Sequence, residues 1–285
     1  MFYVVKKPLW IGSNLVAKIL RRVLKKPKMG FAGTLDPLAT GLMIIGTDGS
    51  PRLFPMLEHF KKTYVTTIRL DGTTDSYDLE QPIKQINITH ETIQRISKKH
   101  IEEIIRANFI GNIHQTPPSY SAIWIDGKRA YDLARKGQEL DIKSKERRID
   151  EFEILDYNWP IMTARIVVSH GTYIRSLARD LGEKLGTGGY LEKLERTEMG
   201  HIKLQDVEKW IIHNDILYAP LSHEALFPDI PTLSLSTEEK IHLRLGSTPI
   251  TTEKWDGQYF VDYENDYYGL LEAKNGLLYP IKNAV

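Results

Sequence analysis

The sequence lacks cysteine, and this absence excludes several kinds of chemistry. With no cysteine among its 285 residues, the chain has no disulfide, no thiolate nucleophile and no cysteine-ligated zinc or iron–sulfur cluster. Nine histidines are present, but no HExxH or comparable pair occurs among them. The sequence therefore gives no support for a metal site.

Long hydrophobic runs are also missing. No apolar stretch approaches the roughly 18 residues that a membrane-spanning helix needs, and the first eight residues lack the apolar region and cleavage site of a signal peptide. We therefore expect a cytosolic protein with no membrane partner. Because 41% of the residues are hydrophobic and 26% are charged, the composition is that of an ordinary globular protein. The length favours a large domain with a smaller one attached.

Acidic residues are absent from the first 35 positions, which carry eight basic ones: Lys6, Lys7, Lys18, Arg21, Arg22, Lys25, Lys26 and Lys28. From residue 222 onward there are five Lys or Arg and ten Asp or Glu, which gives this part a net charge of −5. Since the whole chain has a net charge of +1, residues 1–221 have a net charge of +6. This asymmetry predicts that any surface facing a polyanion belongs to the front of the chain.

Hydrophobic periodicity predicts the first elements. Ser13 can cap a helix whose apolar positions recur at helical spacing up to Leu24, and Pro27 ends it. Residues 30–41 form a loop rich in Gly and Pro, and the apolar run 42–45 after it is typical of a buried strand. Asp36 is therefore expected just before a core strand.

Further along the chain, residues 63–70 alternate like a half-buried strand and residues 89–106 have the pattern of a polar amphipathic helix. Residues 115–148 form a long polar excursion of the kind that is often functional. A strand over 161–168 and a helix over 176–185 place Arg175 near a helix start. After a break near 227–231, short runs at 259–263, 267–271 and 276–280 indicate a small β-barrel or sandwich.

Several blocks in this order resemble one family. The blocks are Gly33-Thr34-Leu35-Asp36-Pro37-Leu38-Ala39-Thr40-Gly41, Lys62-Thr63-Tyr64, Thr74-Asp75-Ser76-Tyr77-Asp78, Gln115-Thr116-Pro117-Pro118-Ser119-Tyr120-Ser121-Ala122, Gly127-Lys128-Arg129, Tyr131-Asp132-Leu133-Ala134-Arg135-Lys136-Gly137 and Gly171-Thr172-Tyr173-Ile174-Arg175. Together they closely resemble the TruB family of tRNA pseudouridine synthases, from about Lys7 to about Ile281.

The resemblance implies a fold and a domain division. The fold is α+β, the pseudouridine synthase fold, with a central mixed and largely antiparallel β-sheet flanked by helices. Residues 1–229 would form the catalytic domain, with an RNA-clamping insertion at about 118–148. Residues 230–285 would form a small PUA-like RNA-binding domain. Its acidic balance suggests that it contributes shape and a few contacts rather than a broad basic surface.

The implied reaction converts uridine to pseudouridine, which needs an anionic oxygen, a cation that orients it and a dry pocket. The resemblance assigns Asp36 as the catalytic carboxylate, Arg175 as its cationic partner, Tyr64 as the residue stacked on the base and Leu194 as an apolar wall. Taken alone, each has a simpler interpretation, as a turn Asp, a surface Arg, a strand Tyr or a helix Leu. No cofactor is needed.

The implied substrate is uridine 55 in the T loop of tRNA, extruded from the loop before reaction. Phe31 stands where the family usually has a histidine that holds the opened loop, and phenylalanine can stack but cannot hydrogen-bond. Trp124 replaces a usual lysine. Lys62, Lys128 and Arg129 are predicted to bind the RNA, with phosphate contacts from the helix 13–26 and from Arg135, Lys136, Lys143, Lys145, Arg147 and Arg148.

Two alternatives are kept open. The chain could be a tRNA-binding or tRNA-folding protein that acts mainly by opening the T loop, although the combination of Asp36, Tyr64 and Arg175 argues against pure binding. It could also resemble the guide-RNA-directed members of the superfamily, which lack the clamp insertion. We expect a stand-alone monomer with no obligate protein partner.

Overall fold

The computed structural model describes residues 1–125, 127–234, 250–251, 256–263, 266–275 and 277–283. The chain divides into two compact units. Unit 1 comprises Met1–Asp36, Leu42–Glu58 and Asp206–Val285, and unit 2 comprises Pro37–Gly41 and His59–Gln205. The predicted division at residue 229 stays a prediction.

The elements up to residue 115 follow in chain order: β1 (Phe2–Lys7), α1 (Ser13–Val23), β2 (Met29–Ala32), β3 (Thr40–Thr47), a 3-10 helix (Ser50–His59), β4 (Lys62–Arg69), β5 (Gly72–Thr73), β6 (Lys84–Gln85), α2 (His90–Arg95), α3 (Lys98–Asn108) and β7 (Gly111–Gln115).

The elements after residue 115 are β8 (Trp124–Ile125), β9 (Lys128–Arg129), α4 (Ala130–Ala134), β10 (Lys145–Asn158), β11 (Ile161–Val168), α5 (Ile174–Leu185), β12 (Tyr190–Met199), β13 (Ile202–Lys203), a 3-10 helix (Leu204–Asp206), β14 (Ile211–His213), β15 (Ile216–Leu221), α6 (His223–Leu226), β16 (Thr232–Ser234), β17 (Ile250–Thr251), β18 (Gly257–Tyr263), β19 (Asp266–Lys274) and β20 (Leu277–Asn283).

In unit 1, a sheet has the strand order β14-β15-β1-β3, with β2 paired to β3 as a hairpin. β3 is buried along nearly its whole length because it carries the apolar run that predicted a core strand. The prediction that Ser13 caps α1 is wrong, since Gly12 is the N-cap. The Ser13 hydroxyl instead donates to Leu35 O (2.8 Å) and accepts from Leu35 N (2.9 Å).

A second sheet of unit 1 has the order β16-β18-β19-β20-β17. Its described core consists of Leu233, Tyr259, Val261, Leu271 and Ala273. β18, β19 and β20 coincide with the three short runs that the sequence marked as strands, although Gly276 of the third run lies outside the described residues. The PUA-like character of this part stays a prediction.

In unit 2, the strands follow the order β12-β4-β11-β10-β7, with antiparallel neighbours throughout. The exception is a short parallel pairing, in which Thr40 and Gly41 lie beside Glu195 and Arg196. Gly41 has a φ of +104°, and a Cβ there would lie 2.3 Å from the Arg196 carbonyl oxygen. Only glycine allows this approach. The predicted α+β class with a mixed, largely antiparallel sheet is confirmed.

The strand over 161–168 and the helix beginning beside Arg175 are confirmed as β11 and α5. The single helix expected over 89–106 is wrong, because the chain turns at Ile96 and forms α2 and α3 instead. The Ser97 side chain caps α3 by accepting a hydrogen bond from His100 N. A serine within an amphipathic pattern can thus begin a new helix rather than continue one.

Among the described residues, no helix combines the length and the apolar character needed to cross a membrane. Within the same ranges, no group of three or more His, Asp or Glu side chains is arranged to hold a metal ion.

Candidate active site

One face of the unit 2 sheet brings Tyr64 and Leu194 together. Tyr64 lies opposite Arg196 in β12, and Thr66, two residues further along β4, lies opposite Leu194. Residues directly opposite each other, and residues two apart in a strand, project to the same face. Leu194 is therefore a strand residue, and its interpretation as a helix residue is wrong. Tyr64 and Leu194 are 7% and 6% exposed, so their shared face is almost dry.

Lys62 lies on the same face as Tyr64, two residues earlier in β4. It is 4% exposed, which is rare for a lysine without a polar partner. Its Nζ lies 3.2 Å from His170 Nδ1. This contact and the burial together hold Lys62 in place, so it is not a mobile surface side chain.

Arg175 is the second residue of α5 and is buried. Its Nη1 donates to Ser76 O (3.1 Å), its Nη2 donates to Tyr120 O (3.0 Å), and its Nε lies 3.6 Å from Asp78 Oδ2. Arg175 is 3% exposed and Asp78 is fully buried. Contacts from three directions fix the plane of the guanidinium. The interpretation of Arg175 as a surface helix residue is therefore wrong.

Asp78 is a residue of the site that sequence reasoning left without a role. Its Oδ1 accepts from Ser76 Oγ (2.5 Å) and from Glu80 N (3.0 Å). These two hydrogen bonds to Oδ1 help to stabilise the buried carboxylate, since a buried ion pair depends on additional hydrogen bonds. The sequence offered a weak signal, because the block Thr74–Asp78 contains two acidic residues, but it could not show that Asp75 is exposed and Asp78 buried.

Asp36 lies in the loop between β2 and β3 of unit 1 and is half-buried. The residue before it is clamped at both backbone polar groups by the Ser13 hydroxyl. Gly33 has a φ of +71°, a left-handed conformation that glycine adopts without strain. The backbone leading into Asp36 is therefore fixed from two sides, as a positioned carboxylate requires.

Phe31 is also in unit 1, where it lies in β2 opposite Ile45 of β3. The ring is half-buried. It therefore keeps some accessible aromatic surface, and its role in holding an opened RNA loop stays a prediction.

Lys128 and Arg129 form the short strand β9, which pairs with β8. The Arg129 guanidinium lies 4.2 Å from the centre of the Trp124 ring and also donates to Ala122 O. Trp124 is 63% exposed and Lys128 is exposed. The tryptophan that replaces a usual lysine thus supports an arginine from the same hairpin, and both cations are accessible to a polyanion.

The remaining basic residues of this segment differ in their surroundings. Arg147 donates through Nε to Gly171 O (2.9 Å), and Arg148 pairs with Asp150 at 2.8 Å. Both belong to β10, which pairs with β7 from Lys145 onward. Arg135, Lys136 and Lys143 are exposed. The segment therefore combines cations held by the sheet with cations open to solvent.

A cavity of about 630 Å³ has a lining that includes Tyr77, Phe109, Arg179, Asp180 and Lys184. Arg179 lies 5.0 Å from the centre of the Tyr77 ring. Burial opposes the charge of Arg179, but the neighbouring Asp180 carboxylate holds the pKa of this guanidinium above its usual value. None of the eight residues predicted to act on substrate lines this cavity.

The dry face around Tyr64 suits a planar, apolar ring, and the fixed guanidinium of Arg175 suits an anionic group. Tyr64 and Leu194 offer apolar and aromatic contact, while Arg175 supplies a positive charge whose orientation does not change. A preorganised cation of this kind stabilises negative charge that develops during a reaction without costly reorganisation.

Comparison with protein-family models gives a match to the TruB family pseudouridylate synthase (N terminal domain) over residues 21–174. A tRNA pseudouridine synthase B from Phocaeicola vulgatus is 46% identical over 206 residues, which cover 70% of this chain and 86% of the relative. The protein of the same name from Bacteroides fragilis is 46% identical over 222 residues (74% and 93%). That from Francisella tularensis is 38% identical over 244 residues (83% and 79%).

Solved structures agree at the level of the fold. A chain of an H/ACA RNP bound to a substrate RNA containing 2′-deoxyuridine matches 99% of this chain and 85% of its own length, with a TM-score of 0.63 and 18% identity. A chain of a Cbf5-Nop10-Gar1 complex gives a TM-score of 0.62 at 20% identity, with the same coverage.

The family model matches more than half of the chain, and the relatives exceed 30% identity over most of it. The chain belongs to the TruB family of pseudouridylate synthases.

Proposed function

We propose that this chain converts uridine 55 in the T loop of tRNA to pseudouridine, as a monomer and without a cofactor. The observation that carries the proposal is family membership, supported by relatives named tRNA pseudouridine synthase B. The residues that the family motifs assign to the reaction are all present. Of these, Tyr64 and Leu194 share a dry sheet face and Arg175 is fixed by buried contacts.

The reaction breaks the N1–C1′ bond of uridine and forms a C5–C1′ bond. The proton on C5 leaves to solvent and N1 gains one, so no redox partner or group donor enters the balance. We assign Asp36 as the anionic oxygen that supports this exchange and Arg175 as the cation that stabilises the charges involved. Tyr64 stacks on the base, and Leu194 closes the pocket that retains the detached uracil.

Substrate binding divides into two tasks in this proposal. Phe31 fills the space left by the extruded nucleotide through stacking. Lys128 and Arg129 bind the RNA through its phosphates, which fixes the register of the stem-loop without reading its sequence. Lys62, on the buried face of Tyr64, is assigned to the extruded nucleotide.

The test uses a T-stem-loop transcript that carries tritium on C5 of uridine, because formation of the C5–C1′ bond releases that tritium. The purified wild-type chain should release one equivalent per transcript with no guide RNA present. Asp36→Asn, which removes the anionic oxygen but keeps the side-chain size, should release none while binding the transcript within about threefold of wild type. Asp156→Asn, on the exposed side of β10, is the matched control and should keep full activity.

Retained release in Asp36→Asn would contradict the assigned role. A transcript with cytidine at position 55 should give no release, and release from it would contradict the positional assignment. Normal binding without any product from the wild-type chain would instead favour a protein that only opens the T loop.

A further inference from the structure

We propose that Gln115 is a positioning residue for Arg175, acting through a two-point clamp on the backbone of Tyr173. This inference rests on the proposed function, since Arg175 is a catalytic residue only there. Gln115 is the last residue of β7 and Tyr173 is the N-cap of α5. The clamp is therefore attached two residues before Arg175.

The clamp uses both ends of the side-chain amide. Tyr173 N donates to Gln115 Oε1 (2.8 Å), and Gln115 Nε2 donates to Tyr173 O (3.1 Å). Gln115 is 1% exposed, so no solvent competes for these bonds. A donor and an acceptor on one planar group reproduce the paired bonds of an antiparallel bridge and fix both position and orientation.

The start of α5 requires such a partner. No side chain of the helix's own N-cap residue satisfies the free N–H groups there, and buried backbone donors left unpaired are costly. Gln115 supplies an acceptor to the N-cap N–H from a different strand. The beginning of the helix is consequently held against the end of β7 rather than by a local cap.

The residues after Gln115 continue the same attachment. Thr116 O accepts from Ser176 Oγ (2.9 Å) and from Arg179 Nη2 (3.2 Å), and Tyr120 O accepts from Arg175 Nη2 (3.0 Å). In these bonds residues 116 and 120 contribute only backbone carbonyls, whereas Gln115 contributes a side chain. Gln115 is thus the place on the β7 side where a substitution can loosen the attachment while leaving the backbone unchanged.

Loosening the clamp should move the guanidinium rather than remove it. A misplacement of about 1 Å in a catalytic group lowers a rate by up to about a hundredfold. RNA binding should change little, because neither the exposed Lys128 nor the half-buried Arg129 takes part in the clamp. The expected signature is a loss in kcat with an almost constant KM.

Two variants separate the contributions of the two hydrogen bonds between Gln115 and Tyr173. Gln115→Glu keeps the acceptor for Tyr173 N but places a carboxylate oxygen against Tyr173 O, and Gln115→Met keeps the length but removes both bonds. Each variant should lower kcat by about tenfold to a hundredfold, while the KM for the T-stem-loop stays within about threefold of the wild-type value. Gln94→Glu, an exposed residue of α2, introduces the same charge and should leave both values unchanged.

Hydrogen exchange provides a second readout that does not depend on activity. In the wild-type chain the Tyr173 amide should be strongly protected, and in both variants the amides of residues 173–177 should exchange at least about tenfold faster. Fast exchange of Tyr173 in the wild type would overturn the clamp without any variant, even if the variants fail to fold.

The outcomes distinguish this inference from the proposed function. An active wild type together with variants whose kcat stays within threefold, or whose KM rises as much as kcat falls, overturns the inference alone. A wild type that releases no tritium overturns the proposed function, and the positioning role falls with it. Lower kcat, constant KM and faster exchange together support the inference.

Discussion

Two arginines of unit 2, Arg175 and Arg129, are held in opposite ways. Arg175 is buried and contacts Ser76, Asp78 and Tyr120. Arg129 is half-buried, lies over an exposed tryptophan and donates to one backbone oxygen. The first cannot leave its position without exposing a buried carboxylate, whereas the second can turn towards a ligand at small cost.

The two environments indicate where each arginine should act. A buried cation with several fixed partners serves orientation, so its loss should appear in kcat. A cation near solvent serves attraction to phosphate, so its loss should appear in binding and in its dependence on salt. The predictions below test that division, beginning with the largest effect.

Arg175→Lys should give the largest effect. Lysine keeps the positive charge but loses the planar fork that reaches Ser76 O, Tyr120 O and Asp78 together. We expect kcat for tritium release to fall by about a thousandfold, the upper range for loss of one preorganised donor group. Urea denaturation should show about 2 kcal/mol lower stability, because buried polar groups lose partners.

The control for this change is Arg165→Lys, an arginine of β11 that pairs with Glu151 and is not assigned to substrate. It should keep kcat within about twofold, consistent with the small value of an accessible ion pair. If Arg175→Lys kept more than about a tenth of wild-type kcat, the distinction between the two arginines would be wrong.

The double variant Lys128→Ala/Arg129→Ala should have an intermediate effect. We expect tRNA affinity to fall by about tenfold while kcat under saturating tRNA stays within about twofold. The logarithm of the tRNA association constant falls linearly with the logarithm of the salt concentration, and this slope should become less steep by up to about two. The change is about one for each phosphate that the variant no longer neutralises. Filter binding at several salt concentrations measures both quantities.

Arg95→Ala/Lys98→Ala removes the same charge from exposed positions that pair with Glu91 and Glu102. It should leave the salt slope unchanged. An equal change of slope in both double variants would mean that the hairpin β8–β9 has no special place in RNA binding.

Asp150→Asn should give the smallest effect. The hydrogen bond from Arg148, followed by that from Lys61, holds the pKa of Asp150 below its usual value despite partial burial. A lowered folded-state pKa stabilises the protein above the unfolded value of about 3.9 and loses that contribution as the pH falls through the folded value.

Because Lys61 and Arg148 are largely exposed, Asp150→Asn should lower the free energy of unfolding at pH 7 by about 0.5–1 kcal/mol. The difference in unfolding free energy between this variant and the wild type should become smaller below about pH 5. Urea denaturation at a series of pH values measures it. A difference that grows on acidification would have the wrong sign for this pair.

The elements that could be predicted from the sequence are those with a strong local period. The residues of β4 and β11 alternate in polarity or form an apolar run over eight residues each, and the apolar residues of α5 recur at helical spacing. The break between α2 and α3 was missed because the apolar spacing continues across Ser97. Leu194 was misplaced because a leucine by itself does not distinguish a strand from a helix.

The candidate site was predicted through motifs rather than through geometry. Asp36, Tyr64 and Arg175 were recognisable because each stands in a block of several matching residues. Asp78 and Gln115 lay in such blocks too, yet nothing local indicated that one would face Arg175 or that the other would hold Tyr173. Their partners are distant in sequence, and pairing across such distances depends on how the sheet assembles.

The family, the main strands and helices and the position of a carboxylate before a core strand can be predicted from the amino-acid sequence, because they depend on local pattern and on motifs. Three other features emerge only in the folded chain: Arg175 is buried against Asp78, Leu194 shares a face with Tyr64, and Gln115 holds the start of α5. The physical reason is that burial and hydrogen-bond pairing are properties of residues brought together from distant parts of the chain.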